Sequence, residues 1–240
     1  MGTKCSLCFI IVLLGMGVVC GKGFAFQLEG LIEPSERLDI SSQVPGVIDT
    51  IKVERGDIVR KGQEVAKLKS GVEEASIALA EARVEFGQRK VDRNEELFQK
   101  KLISTHERDE IATELKIATL ELREAQERYS LRIIKSPVDG VVVERMLGSV
   151  EYVGENPIMT IARIDPLFVE VVSPVEYFGQ VKVGMKAKVF PEAPVGGTYV
   201  AKVAVVDRVI DAASGTFGIR LLLKNEKNLL PAGLKCRVEF

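Results

Sequence analysis

Two hydrophobic periods divide this 240-residue chain. Through residues 40–70, and again from 133 onwards, apolar and polar positions alternate in short runs broken by Pro and Gly, as in β-strands with one buried face. Between them the apolar positions recur every three or four residues: Val72, Ala75, Leu79, Ala82 and Phe86. After a break at Lys100-Lys101-Leu102 the spacing returns at Ile111, Leu115, Ala118, Leu122, Ala125 and Tyr129. Each stripe predicts the seam of a coiled-coil helix. Folding one back on the other about Leu102 sets Phe86 opposite Ala118, Ala82 opposite Leu122 and Leu79 opposite Ala125, large facing small in each layer. Residues 71–132 are expected to form an antiparallel hairpin whose arms of roughly 28 residues extend about 40 Å, so that most of it stands in solvent. Charge runs such as Glu121 to Glu127 then read as solvated faces with i,i+4 pairs such as Glu124 and Arg128.

The β-rich segments on either side of the hairpin repeat one another. The first carries Val44-Pro45-Gly46-Val47-Ile48, then Gly56, Gly62 and Val65; the second carries Ser136-Pro137-Val138-Asp139-Gly140-Val141-Val142, then Gly148, Gly154 and Ile158. Gly46 and Gly140 open a β-branched run, and in each copy the two later glycines stand six positions apart, which predicts tight turns at Gly56, Gly62, Gly148 and Gly154. The interval from the first glycine to the second is two residues shorter in the second copy, a difference assigned to loop length. Neither copy has enough apolar residues to bury a face alone, so residues 40–70 and 133–164 are expected to close into one sandwich. Residues 165–240 alternate again at Leu167–Val172, 186–190, Tyr199–Val206, Phe217–Leu223 and 234–240, which predicts a small β-barrel. A short helix is expected from Ser173-Pro174 to about Gln180, and residues 26–39 are read as a connecting segment.

Composition narrows the function. A net charge of -1 argues against a nucleic-acid surface. Residues 1–25 combine Lys4, an apolar run from about Leu7 to Val19 and the small-x-small triplet Gly23-Phe24-Ala25, the pattern of a secretory signal peptide. Retention as a membrane anchor and lipidation at Cys20 are the alternatives. Cys5, Cys8 and Cys20 lie in that leader, leaving Cys236 alone in the rest of the chain, in an alternating strand pattern that turns it inward. The single histidine, His106, has no neighbouring Cys or His for a triad or metal site, the glycines are turn glycines, and the methionines are scattered. Catalytic, cofactor and metal sites are therefore all expected to be absent.

One polar cluster remains. At the hairpin turn Arg93 and Leu97 share a helix face, and Ser104 lies seven residues beyond Leu97, just past the break. Ser104 with Glu107 three residues later forms a capping box at the start of the second helix. Capping does not account for Arg93: a guanidinium at a position expected beside the seam costs packing, so its planar donor fork is expected to serve carbonyls or carboxylates on a partner.

In these motifs the chain, over about residues 28 to 240, resembles the periplasmic adaptor subunits, or membrane fusion proteins, of tripartite efflux pumps. The resemblance implies an elongated α+β fold: a split lipoyl-like β-sandwich, an inserted antiparallel coiled-coil hairpin and a C-terminal β-barrel. It places the outer-membrane-channel docking motif on Arg93, Leu97 and Ser104, and matches Ser214-Gly215-Thr216-Phe217 and Leu230-Pro231-Ala232-Gly233-Leu234 to barrel signatures. It implies a homo-oligomer, trimer or hexamer, working with an inner-membrane efflux transporter, of the proton-coupled resistance-nodulation-division type first and an ATP-driven exporter second. It implies no cofactor and no nucleic acid. Many members have a further membrane-proximal domain, and the sequence ending at Phe240 departs from them in lacking a complete one. A biotinyl or lipoyl carrier shares the two-half fold but needs an exposed Lys on the turn between the halves; near that junction stands Lys69, followed by a helix. A structural envelope coiled coil is the third class.

Overall fold

A computed structural model describes residues 26–240; the leader and its Cys20 lie outside the described residues. The first half-module supplies strands β2 (Gly46–Ile51), β3 (Ile58–Val59) and β4 (Glu64–Leu68), and the second supplies β5 (Ile133–Lys135), β6 (Gly140–Arg145) and β7 (Tyr152–Val153). Each half gives its shortest strand to the other: β3 pairs with β6, and β7 with β2. Ile48, Val59 and Leu68 from one half and Val142, Val153 and Ile161 from the other share a single core, each at most 1% exposed. The segments around Val47 and Val141 thus close into one sandwich, because neither strand set covers its own apolar face.

β4 and β5 pair side by side, and helices α1 (Gly71–Gln99) and α2 (Thr105–Ser130) leave and re-enter the sandwich between them. The Arg132 guanidinium fixes the base, bonding Glu73 at 2.7 Å and donating to the Pro45 carbonyl at 3.0 Å. Lys67 adds an ion pair to Glu74 at 3.0 Å. That bond holds the Glu74 carboxyl below its ordinary range and raises the Lys67 ammonium.

The helices pack antiparallel, bridged by Arg83–Glu121, Lys90–Glu114 and Glu95–Arg108. These pairs set Phe86 level with Ala118 and Ala82 level with Leu122, the heights expected from the sequence. The face that α1 turns to α2 is a different one. The α2 stripe from Ile111 to Tyr129 is inward, with Ala125 buried, but on α1 the covered positions are Ile77, Ala80, Val84, Gly87 and Val91. Leu79 and Phe86 are 59% and 60% exposed. The α1 seam read from the sequence is therefore the outer face of that helix. Gly87 explains the choice: a Cβ there would stand 3.2 Å from Leu115 Cδ1, so the glycine lets the helices approach on the inner face. That close approach offsets the roughly 1 kcal/mol that a mid-helix glycine costs.

β1 (Gln27–Ile40) and β8 (Met159–Pro174) run through both β units. Residues 26–39, read as a connector, are instead most of a fourteen-residue strand paired with β8 from Gly30 to Ile40 around a bulge at Pro34–Glu36. The first part of β8 is buried continuously from Met159 to Ala162 and its later part alternates. This is the change expected where a strand leaves a two-sided core for a barrel wall. With β9 (Lys186–Pro191), β10 (Tyr199–Val206), β11 (Thr216–Leu223) and β12 (Lys235–Glu239), the order β1-β12-β9-β10-β11-β8 closes on itself through the β1–β8 pairing. Cys236 faces the barrel interior at 3% exposure. The helix expected after Ser173 is a single 3₁₀ turn at Val175–Tyr177.

Candidate functional site

The far end of the hairpin carries the polar cluster that the core does not use. α1 ends where Lys101 adopts φ 60° and the Leu102 amide donates to the Leu97 carbonyl at 2.9 Å, a reversal that leaves the Leu102 side chain in solvent. Ser104 is the N-cap of α2. Its Oγ accepts from the Glu107 amide at 3.2 Å, and the Glu107 carboxylate accepts from the Ser104 amide at 2.8 Å, which completes the box. Those donors, the Ser104 amide first and its hydroxyl second, hold the Glu107 carboxyl below its ordinary range.

Arg93 is exposed and takes part in no hydrogen bond or ion pair among the described residues. It stands seven residues beyond Phe86 and so continues the outer stripe of α1 rather than flanking the seam. Leu97, half-buried, links that stripe to the turn. The three residues therefore share one end of the rod in different roles: Ser104 shapes the backbone, Leu97 backs the turn, and Arg93 presents an unsatisfied guanidinium. Arg108 escaped the sequence reading. Its guanidinium lies 4.7 Å from the Phe98 ring centroid and bonds Glu95 at 3.1 Å, tying the two arms together beside the tip. An aromatic and an Arg ten residues apart across the break were the available signal.

The six glycines of the half-modules divide. Gly56 and Gly62 take φ 95° and 81°, and Gly46 and Gly140 sit where another group comes close. A Cβ on Gly140 would lie 2.4 Å from the Ala162 carbonyl oxygen, and one on Gly46 2.8 Å from an Arg132 nitrogen. Gly148 and Gly154 are not left-handed, and the corresponding turn in the second half places Val150 at φ 71°. The glycine pairing expected between the copies is thus shifted by two: Gly56 corresponds to Val150, each ten residues after the glycine that opens its module. Gly148 opens that turn, its carbonyl accepting from the Glu151 amide as the Glu54 carbonyl accepts from the Asp57 amide in the first half.

Among the described residues no group of three or more His, Cys, Asp or Glu side chains converges on a metal position, and no helix is long and apolar enough to cross a membrane. What the site offers is an exposed end of the helical pair, with a capped turn and an unpaired guanidinium.

The family model described as "CzcB-like, barrel-sandwich hybrid domain" matches residues 36–163, the sandwich with its inserted helices. Two curated relatives match in sequence: an uncharacterized protein of Haemophilus influenzae, 24% identical over 80% of this chain and 50% of its own length, and the nodulation protein NolF of Rhizobium meliloti, 21% identical over 87% of this chain and 61% of its own. The chain thus spans about half to three-fifths of the length of these relatives. In fold it is similar to the crystal structure of a MacA-MexA chimeric protein containing the Pseudomonas aeruginosa MexA alpha-hairpin domain: TM-score 0.73, 20% identity, 90% of this chain and 80% of that one. The chain belongs to the CzcB-like barrel-sandwich hybrid family, that of the membrane fusion, or periplasmic adaptor, proteins of efflux pumps. Proteins of this class are adaptors and not enzymes.

Proposed function

We propose that this protein is a periplasmic adaptor linking an inner-membrane efflux transporter to an outer-membrane channel in the export of small molecules or drugs. The observation that carries this reading is Arg93: a guanidinium without a partner among the described residues, at the outer end of a helical rod whose base is fastened to the sandwich through Arg132. A charged donor that serves nothing in its own fold fits a surface that docks onto carbonyls or carboxylates elsewhere. Leu97 and Ser104 complete the docking motif in this reading, and the exposed Leu102 supplies apolar area beside it. The units at work are the lipoyl-like sandwich of residues 40–70 and 133–164, the coiled-coil hairpin of 71–132 and the barrel of 165–240. Several copies, three or six, assemble side by side, and the leader of residues 1–25 directs export to the periplasm. The spacing of the tip motif favours a proton-coupled resistance-nodulation-division transporter; an ATP-driven exporter is the second reading.

Arg93→Asp tests the docking role, because the position is exposed and the substitution leaves the fold intact. In cells lacking the wild-type gene, the variant should melt within about 1 °C of wild type, as for a surface change, while drug efflux and capture of the outer-membrane channel are lost. Full resistance with Arg93→Asp would favour a structural envelope protein instead. Collapse of efflux on adding a protonophore at constant ATP separates the proton-driven from the ATP-driven reading.

A further inference from the structure

A cleft of about 680 Å³ lies where the sandwich meets the barrel. Its floor is a face of the sheet: Arg37 on β1 pairs with Ala162 on β8, and Ala162 with Val141 on β6, which sets the three in one cross-strand row. One wall is the β2–β3 turn at Arg55-Gly56, pinned to the sheet by the Gly56 amide, which donates to the Val142 carbonyl at 2.8 Å. The other wall is the barrel loop from Asn228 to Gly233. Asn225, 5% exposed, shapes that loop: its side chain accepts from the Leu230 amide at 3.1 Å and donates to the Leu230 and Ile164 carbonyls, both at 2.9 Å. Leu229 is thereby held at the cleft, 71% exposed.

Two cations interrupt this aliphatic lining. Arg37 and Arg55 are exposed, and neither takes part in a hydrogen bond or ion pair among the described residues. The acids beside them in sequence are engaged elsewhere: Glu36 with Arg163 at 3.0 Å, Glu54 with Arg145 at 3.3 Å, and Asp57 with the Glu54 amide at 2.8 Å. No Asp or Glu among the described residues lines the cleft. Two guanidiniums beside apolar surface, with no counter-charge, make the cleft electropositive. Each offers a planar fork of donors that fits a carboxylate or sulfonate. The volume is that of a small-molecule site, in which a few polar groups orient a largely apolar ligand.

We infer that this cleft binds a small amphipathic organic anion, with its carboxylate or sulfonate on Arg37 and Arg55 and its apolar body against Val141, Ala162, Ile164 and Leu229. A cation of the same size would meet like charge there and is excluded. The ligand touches the sandwich through Arg37, Arg55 and Val141 and the barrel through Leu229, so it bridges the two bodies beside the β1 bulge at Pro34–Glu36. The site lies apart from the hairpin tip, and the inference does not depend on the docking reading.

The test uses the full mature chain and anilinonaphthalene sulfonate, an apolar sulfonate whose fluorescence rises when it leaves water. Titration should give one saturable site per chain. Laurate below its micellar concentration should displace the dye, and dodecyltrimethylammonium at the same concentration should not. Arg37→Gln/Arg55→Gln, checked for unchanged melting, should bind the dye at least about tenfold more weakly, as expected for lost charge-assisted contacts. Leu229→Ser, at an exposed position, should also weaken binding with the charge of the protein unchanged. Lys116→Gln/Arg123→Gln removes two charges from the hairpin and should bind as wild type does. No saturable binding, equal affinity in Arg37→Gln/Arg55→Gln and wild type, an equal loss in the hairpin variant, or equal displacement by the cationic competitor would each overturn the site.

Discussion

Val150 holds at its turn the left-handed backbone that Gly56 holds at the matching turn of the other half-module. The correspondence extends to the hydrogen bonds. The Gly56 amide donates to the Val142 carbonyl at 2.8 Å and the Val142 amide to Asp57 at 2.9 Å; the Val150 amide donates to the Ile48 carbonyl and the Ile48 amide to Glu151, both at 2.9 Å. Each turn clasps the central strand of the opposite half. The ladder demands positive φ at that place whatever residue occupies it.

Val150→Gly is therefore expected to stabilise the protein. A β-branched residue at φ 71° carries about 1–2 kcal/mol of backbone cost. Removing it outweighs the roughly 0.4–1 kcal/mol that the more flexible unfolded chain regains. With the side chain 74% exposed, little burial is lost. Thermal denaturation should show a rise of a few degrees; a fall would mean that the turn is not strained.

The orientation of α1 makes opposite predictions for neighbouring apolar residues. Ile77→Asp buries a charge against α2 and should cost about 2 kcal/mol or more, loosening the helical pair. Leu79→Asp, on the outer face, should leave helicity of the monomer unchanged. Leu122→Asp, on the covered face of α2, should behave like the Ile77 variant. Circular dichroism with hydrogen exchange across residues 71–130 checks all three, and reversed results for positions 77 and 79 would return the seam to the outer stripe.

Ser104→Ala should cost about 1 kcal/mol and raise exchange at the Glu107 and Arg108 amides, whereas Ser104→Asp keeps a capping oxygen and should not. If Ser104 serves only as a cap, Ser104→Asp also keeps efflux. The box has a pH signature. The Glu107 carboxyl titrates lower when folded, so its contribution is present above the ordinary glutamate value of 4.5 and is lost as pH falls through the depressed folded value. Fraying of the first turn of α2 should appear only in acid, and earlier in Ser104→Ala.

Burial raises the Cys236 thiol to about 11, with the Glu192 carboxylate adding to the shift. Thiolate is scarce at neutral pH and the sulfur is enclosed. Native protein should resist maleimide at Cys236, mapped by mass spectrometry, and react at once in denaturant. Rapid native labelling would show that the barrel opens.

The period of the sequence revealed the rod, its turn, the cap at Ser104 and the heights at which the arms meet. It did not reveal which face of α1 is covered. Val72, Ala75, Leu79, Ala82 and Phe86 form one apolar stripe and Ile77, Ala80, Val84, Gly87 and Val91 another of similar apolarity, the second flanked by Lys90 and Asn94. Period alone does not choose between two such stripes, and the close approach that Gly87 permits to Leu115 marks the covered one. The repeat was legible from Gly46 and Gly140, but its turn was misplaced because Gly148 lies near Val150, the residue that takes the role. β1 was missed because Glu33, Pro34 and Glu36 interrupt the alternation at the bulge. At the tip the structure leaves Arg93 exposed on the outer stripe rather than beside the seam, and Arg108 was hidden because its partners, Phe98 and Glu95, lie on the other arm.

The long pairing of β1 with β8 gives the molecule a spine. Two strands hydrogen-bonded from the barrel wall into the sandwich resist shear between those bodies far better than a single-chain tether would. A torque delivered at the barrel would travel to the root of the helices, with Pro34–Glu36 as the weakest joint along the way. Through such a shaft, a displacement of the barrel reaches the root of the hairpin without either β body changing its internal packing.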